Sequence, residues 1–424
     1  MRQGGRTGHA LPFAMKALFA QVALALGLAS LAAGAPPAHA ARLVIWMVGD
    51  DKTPQVMQPA VDAYRARHPD VAVEVRDVPW ADAMTKYSAA LASKRGPDLI
   101  TGSTSYAIAL GAKGALVDLN QAAPDLARQL EQHANPGALR AIRSSDGRLY
   151  GAPFDMHVQL QYYRSDLAAQ APIDWEGFIT AASKLRGQGH GFAQQWGNTS
   201  WLGFYPYLRQ AGGTVYDASC QRAVIDSPEA VRALTYYARL YRELQAPTDG
   251  WPDADGGLES GAYALMQSGT WLLSRMDMVH KGLVGKWAAA PLPAGPTGKR
   301  TAVLGGTVLA ITRFSPNREL ALDFMRTVYQ PEVTRRMAEA ALAYGGMWLP
   351  SGRQDQIASL PLPNRDALLA QLADAEGPPP CPAWMRQDYI VTRAVQRVVL
   401  AGGDPQAELS RAAAVMNRAL GAQR

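Results

Sequence analysis

Six tryptophans stand beside glycine or polar residues rather than inside apolar runs: Trp80, Trp196, Trp201, Trp271, Trp348 and Trp384. The densest such stretch is Gln194-Gln195-Trp196-Gly197-Asn198-Thr199-Ser200-Trp201. A flat aromatic face suits the C–H face of a saturated ring. Planar side chains with two polar atoms, such as Asp, Asn, Gln and Arg, suit neighbouring hydroxyls. Carboxylates and small hydroxyl residues occur where such groups are useful: Asp50 and Asp51, Ser103 and Thr104, and Asp155. The chemistry this set offers is capture of a polyhydroxylated small molecule. Core packing is the competing reading for each tryptophan.

Bond-breaking chemistry has weaker support. Two carboxylates flanking a glycosidic bond would make a hydrolase, and Asp50, Asp51 and Asp155 are available for that. Acidic residues that only accept hydrogen bonds look the same in a sequence. There is no Gly-x-Ser-x-Gly elbow, His-Glu-x-x-His or phosphate-binding loop. The pairs Tyr162-Tyr163 and Tyr236-Tyr237 raise ferric iron as an alternative. Adjacent residues on a helix or strand face different directions, which counts against it. His157 reads as a structural or surface residue as readily as a contact.

These residues need elements to hold them. Leu43-Val44-Ile45-Trp46-Met47 is a short apolar run, as a strand covered on both faces requires. Thr53-Pro54 opens a helix, with Val56, Met57, Ala60, Val61 and Tyr64 at helical spacing. Val71, Val73 and Val75 alternate as in a strand, a helix runs from about Ala81 to Ser93, and Asp98 to Thr101 is the next strand. A β-α-β-α-β order implies parallel strands with right-handed crossovers. Ligands in such folds lie beyond the carboxyl ends of the strands, which points to Asp50, Trp80, and Ser103 with Thr104. Helices also start at Ser227-Pro228, Ser315-Pro316 and Asp404-Pro405. Gly/Pro-rich stretches near 290–298 and 377–382 are candidate connections between lobes.

The first forty residues read as a secretory signal. Arg2, Arg6 and Lys16 precede or border an apolar run from Ala17 to Ala33, which ends at Ala38-His39-Ala40. Removing those three bases takes the formal charge from +6 to +3. That weak charge lacks the basic and aromatic pattern of a nucleic-acid surface. The remaining length suits two domains. Cys220 and Cys381 permit one intramolecular pairing, in a compartment that allows disulfides. A bridge and two separate thiols both remain open.

Across nearly the whole mature chain the motif order resembles the extracellular solute-binding proteins of carbohydrate ABC importers, the maltose-binding-protein-like group. The resemblance rests on Tyr64-Arg65-Ala66-Arg67-His68-Pro69, Gly96-Pro97-Asp98-Leu99-Ile100 and Gly111 to Leu119. It continues through Tyr150-Gly151-Ala152-Pro153-Phe154, Asp174-Trp175-Glu176-Gly177-Phe178, Gly261 to Met266 with Gly269-Thr270-Trp271, Leu304-Gly305-Gly306, and Tyr344 to Pro350. The order and spacing of the motifs carry it, since each alone is weak.

The resemblance implies an α/β fold of two lobes, each a mainly parallel sheet flanked by helices, closing about a hinge. It implies a signal peptide over 1–40, a first lobe from 41–151 and 297–345, and a second from 152–296 and 346–424. It implies a periplasmic, monomeric, non-enzymatic binding protein that hands a carbohydrate to a membrane permease, without cofactor or metal. Polyols, glycerol phosphate, polyamines and ferric iron are the alternative ligands. Asp155, Trp271, Trp384, Gly305, Gly306 and Trp348 fall in segments that the family brings to its cleft. Phe154 stands where the family often has Trp, and Met156-His157 departs from its usual small hydroxyl residue.

Overall fold

The computed structural model describes residues 41–49, 53–144, 146–197, 200–249 and 254–422. The signal segment and Asp50 lie outside these residues. Nine strands follow in order: β1 (Arg42–Val48), β2 (Ala72–Val78), β3 (Leu99–Ser103), β4 (Ala152–Arg164), β5 (Gly191–Gln194), β6 (Tyr263–Gly269), β7 (Trp287–Ala290), β8 (Ala302–Ile311) and β9 (Ala375–Glu376).

The opening β-α-β-α-β unit is as the sequence suggests. β1 pairs in parallel with both β2 and β3, with helices Thr53–Arg67 and Trp80–Ser93 as crossovers. Later strands change the character of the sheet. β8 joins β3 and β4 antiparallel to both, and β4 is antiparallel to β6 and β7. Only β5–β6 and the short β8–β9 pairing are parallel in the rest. The sheets are therefore mixed, because strands that return from elsewhere in the chain enter without a βαβ crossover.

β4 and β8 link the two parts of the molecule. Ala152 to Val158 of β4 pair with β8, and Gln159 to Arg164 continue onto β6 and β7. A bulge at Pro153/Asp155 bends β4 near its start. β8 uses Thr307 to Ile311 on β3 and Ala302–Val303 on β9. One core surrounds β1 to β4 and continues under β6 to β8. A second, rich in aromatic residues, lies among helices Trp175–Gly187, Ser200–Gln210, Pro228–Arg242, Trp384–Ala401 and Pro405–Gly421.

Local capping explains several boundaries. Asp174, Ser227 and Asp404 each accept a hydrogen bond from the backbone N–H three residues on. Ser315 does not cap its helix, which begins at Arg318 instead. Its hydroxyl is donated to Asp98 Oδ1 at 2.6 Å. Asp98 is buried and also accepts from Val44 N and Asn317 Nδ2, so one carboxylate ties β1, β3 and this helix together. The cysteines form a disulfide, which fastens the turn at Cys220 to the segment before helix Trp384–Ala401.

Candidate functional site

Strand periodicity builds the floor of the site. Met156, Val158, Leu160 and Tyr162 of β4 are all at most 1% exposed and enter the core. Alternate residues Asp155, His157 and Gln159 therefore lie on the other face, each half-buried. Gly305 and Gly306 of β8 sit opposite His157 and Met156. Gly306 has φ +142°, and a Cβ there would collide with the Asp155 carbonyl. A Cβ at Gly305 would meet only the His157 carbonyl oxygen, at 3.8 Å, so the space above it is open. These glycines allow close strand approach and leave the polar row uncovered.

The carboxylate of Asp155 is held firmly. Thr307 donates to Oδ1 from both its backbone N (2.6 Å) and its hydroxyl (2.8 Å), and His157 Nε2 is 3.7 Å from Oδ2. Burial pushes this carboxyl up, but His157 and the Thr307 donors outweigh it, leaving the group below its ordinary range. Asp155 is therefore an ionised acceptor. Ser103 pairs in register with Thr307, which brings the end of β3 beside this carboxylate. Ser103 makes no side-chain capping bond to the helix that follows it, and Thr104 is buried in the first turn of that helix.

From His157 the polar chain runs to the end of β6. His157 Nδ1 is 3.2 Å from Thr270 Oγ1, and its ring meets Trp271 edge to face with centroids 5.7 Å apart. Trp271 is half-buried and its ring folds back over Gly269, where a Cβ would run into it. Gln159 donates from Nε2 to Leu202 O at 3.4 Å, while its Oε1 is buried without a hydrogen-bond partner. An orphan acceptor beside an ionised acceptor and an aromatic face fits a ligand rich in hydroxyls.

A second aromatic group belongs to the second core, at the start of helix Trp384–Ala401. Trp384 is 2% exposed and meets Trp201 at 5.0 Å and Tyr216 at 6.3 Å, both edge to face. Trp201 is the more accessible of the indole pair. The helix also touches helix Thr104–Ala112, which carries Tyr106 and follows β3. Burial, and after it the charge of Asp388, raises the Tyr106 and Tyr216 hydroxyls.

The sequence-predicted residues thus separate. Ser103, Asp155, Trp271, Gly305 and Gly306 meet on the β3–β8–β4–β6 edge. Trp201, partly exposed, packs edge-on against Trp384 at the margin of the second core. Trp80 begins helix Trp80–Ser93, 49% exposed, at the end of β2. Three tryptophans are placed in the cores instead, the first being Trp384, whose ring is enclosed by the second core. Trp196 is 5% exposed with its ring 4.7 Å from Tyr241. Trp348 is 6% exposed and lies edge-on to Phe154 at 5.3 Å. Asp50 is outside the described residues.

Sequence reasoning passed over Gln159, Thr270 and Thr307, and left His157 undecided. The alternation Asp155-x-His157-x-Gln159 was a usable signal for the first of these. Three of the four tyrosines raised for iron are engaged internally. Tyr162 donates to Gly269 O, Tyr236 donates to Trp175 O, and Tyr237 shares a hydrogen bond with Tyr241.

Comparison with known proteins agrees with this arrangement. The family model described as bacterial extracellular solute-binding protein matches residues 49–335, more than half of the chain. A putative binding protein of Brucella abortus (strain 2308) is 24% identical over 379 residues, covering 86% of this chain and 89% of that protein. The lactose-binding protein of Rhizobium radiobacter is 27% identical over 317 residues, covering 70% of this chain and 72% of its own. Among solved structures, the sugar-binding protein MalE from the phytopathogen Xanthomonas citri superposes with a TM-score of 0.78 at 21% identity, over 90% of this chain and 98% of that one. Strand order, the paired crossing strands and the family match converge: the chain belongs to the bacterial extracellular solute-binding proteins.

Proposed function

We propose that this protein captures a carbohydrate between two lobes by closing about β4 and β8, and delivers it to the permease of an ABC importer. The observation that carries the reading is the polar face of β4. It sets an ionised Asp155, His157 and the unpartnered Gln159 Oε1 beside the Trp271 ring. An aromatic surface next to bidentate acceptors matches the two faces of a sugar. The lactose-binding relative supports the same ligand class. Binding with no turnover is the expected activity, since the site holds acceptors without an activated nucleophile.

In this reading 41–151 and 297–345 form the first lobe, and 152–296 with the C-terminal part form the second. The segment after 345 touches both lobes: Leu349 accepts from Met156 N, Ser351 accepts from Asn135 N, and Gly352 packs on Tyr329. Helix Arg365–Ala373 turns to the second part, where Gln371 Oε1 accepts from Leu292 N. The chain is exported to the periplasm, with cleavage after Ala40, and acts as a monomer.

The test is a thermal-shift screen of the mature protein against mono-, di- and trisaccharides, polyols, sugar phosphates, polyamines and ferric citrate, followed by product analysis. A ligand at a hundredfold excess over its Kd adds about 2.7 kcal/mol, raising Tm by roughly a degree or more. A shift with carbohydrates, and recovery of the ligand intact, supports the reading. A shift confined to polyamine or iron, or conversion of the sugar, overturns it.

A further inference from the structure

We propose that the groove between the last two helices docks an acidic amphipathic helix of a partner protein. This goes beyond ligand capture and does not depend on which ligand the cleft holds.

Helices Trp384–Ala401 and Pro405–Gly421 are joined by Gly402-Gly403-Asp404 and run antiparallel. An ion pair of Arg397 with Glu408 ties them beside the turn, and Gln387 Nε2 donates to Met416 O at the far end (3.1 Å). Their inner faces are occupied: Val391, Val395, Leu409 and Met416 are buried in the second core. Their outer faces enclose a groove of about 450 Å³. One helix lines it with Tyr389, Ile390, Arg393 and Arg397, and the other with Arg411, Val415 and Arg418. Each set recurs at three- and four-residue intervals, so each is one stripe of its helix. Ile390 and Ala412 form a buried floor, while Tyr389 and Val415 are exposed.

The charge around this groove has one sign. Four arginines line it, and the carboxylate of Glu408 is buried between two of them, Arg397 and Arg411. Among the described residues Arg393 and Arg418 form no ion pair. Both are exposed, one on each wall.

That combination selects among occupants. The first forty residues of the chain are apolar but basic, with Arg2, Arg6 and Lys16 and no Asp or Glu. A second copy in a twofold arrangement would set arginine against arginine. A flat bilayer surface would meet the rim but not the recessed floor. An acidic helix satisfies both parts. Its aliphatic stripe fills the floor as a third helix packed on two, and its flanking carboxylates meet Arg393 and Arg418 fork to fork. The lined stretch from Tyr389 to Arg397 is about 12 Å long at 1.5 Å per residue, a little over two turns of such a helix. Arginine and tyrosine are also the side chains that most often carry the energy of protein interfaces.

The experiment is fluorescence-anisotropy titration of the mature chain with labelled peptides of about 18 residues, long enough to hold a helix. One has a leucine stripe at helical spacing flanked by glutamates. A second has lysine for every glutamate, and a third has the composition of the first scrambled so that no stripe forms. The expected result is the glutamate peptide bound about tenfold or more tightly than the other two, weakening as salt is raised. The double variant Arg393→Glu/Arg418→Glu should lose this preference and take up the lysine peptide instead, with circular dichroism and Tm showing that it is folded. Failure of the wild type to bind the glutamate peptide above the lysine or scrambled forms overturns the inference. So does glutamate-peptide binding that the double variant leaves unchanged. Binding to phosphatidylglycerol vesicles over phosphatidylcholine ones, without binding of the glutamate peptide, overturns it in favour of a membrane contact. The sugar screen is a separate readout, and its failure leaves this inference standing.

Discussion

The indole of Trp271 lies where a side chain at residue 269 would be, stacked back over Gly269 at the end of β6. Glycine here provides room for the ring, which is thereby presented to His157 at 5.7 Å. Gly269→Ala should displace the indole while leaving the β6 backbone free to pair with β4. Ligand affinity should fall about tenfold or more, the size of losing an aromatic anchor, with a small change in Tm. Tryptophan fluorescence and titration with the sugar found in the screen would report both. Unchanged affinity would remove Trp271 from the site.

Trp271 and Trp196 should behave oppositely when cut to alanine. Trp271→Ala should weaken binding with little loss of Tm. Trp196, packed against Tyr241 in the second core, should cost about 3–5 kcal/mol of stability on truncation. Denaturant titrations of both variants check the contrast. Equal stability losses would place Trp271 in the core.

Asp155→Asn tests the charged acceptor. The amide can still accept from Thr307, so the fold should survive, but the ionic contact with His157 is lost. Binding should weaken by about 1–3 kcal/mol, since bonds to a charged acceptor are the stronger ones. Calorimetry at neutral pH gives the value, and an unaltered Kd would count against Asp155 as a contact.

The Cys220–Cys381 bridge spans 161 residues and anchors the start of the helix that carries Trp384. Its reduction, or replacement of both cysteines by Ser, should cost about 2–5 kcal/mol. Melting curves with and without reductant measure this.

His280 gives a pH dependence with a definite sign. Burial lowers its pKa, but hydrogen bonds to Glu259 (2.8 Å) and Asp255 (3.1 Å) outweigh this and raise it above 6.5. The protonated ring then fastens helix Ala254–Ser260 to the segment behind Trp271. A raised value means the contribution is full below the unfolded pKa and is lost as pH rises through the folded one. Relative to His280→Gln, wild type should be more stable at pH 5.5 and lose that advantage progressively as pH rises above 6.5 through the raised folded value. A constant difference across the range would show that the ring does not titrate there.

Local pattern was enough for the first strands and helices. The apolar run at Leu43, the valine alternation at Val71, and the caps at Ser227 and Asp404 use short-range sterics and hydrogen bonds, which neighbouring residues decide. Motif order along the chain carried the two-lobe expectation and the family. It also marked Asp155, Trp271 and the Gly305-Gly306 pair, because their neighbours in sequence are strand ends and tight turns.

Tertiary structure decided what no window of sequence contains. Trp196 and Trp201 lie five residues apart in similar surroundings, yet one is buried against Tyr241 in the core and the other stays partly exposed where it meets Trp384 at the core's margin. Thr307 became part of the site because antiparallel pairing set it next to Asp155, 152 residues away. The cysteine pairing likewise depends on which distant segments meet. Local sequence determines how each segment folds. Burial and charge compensation are sums over neighbours brought from elsewhere in the chain, and the assembled fold alone supplies those neighbours.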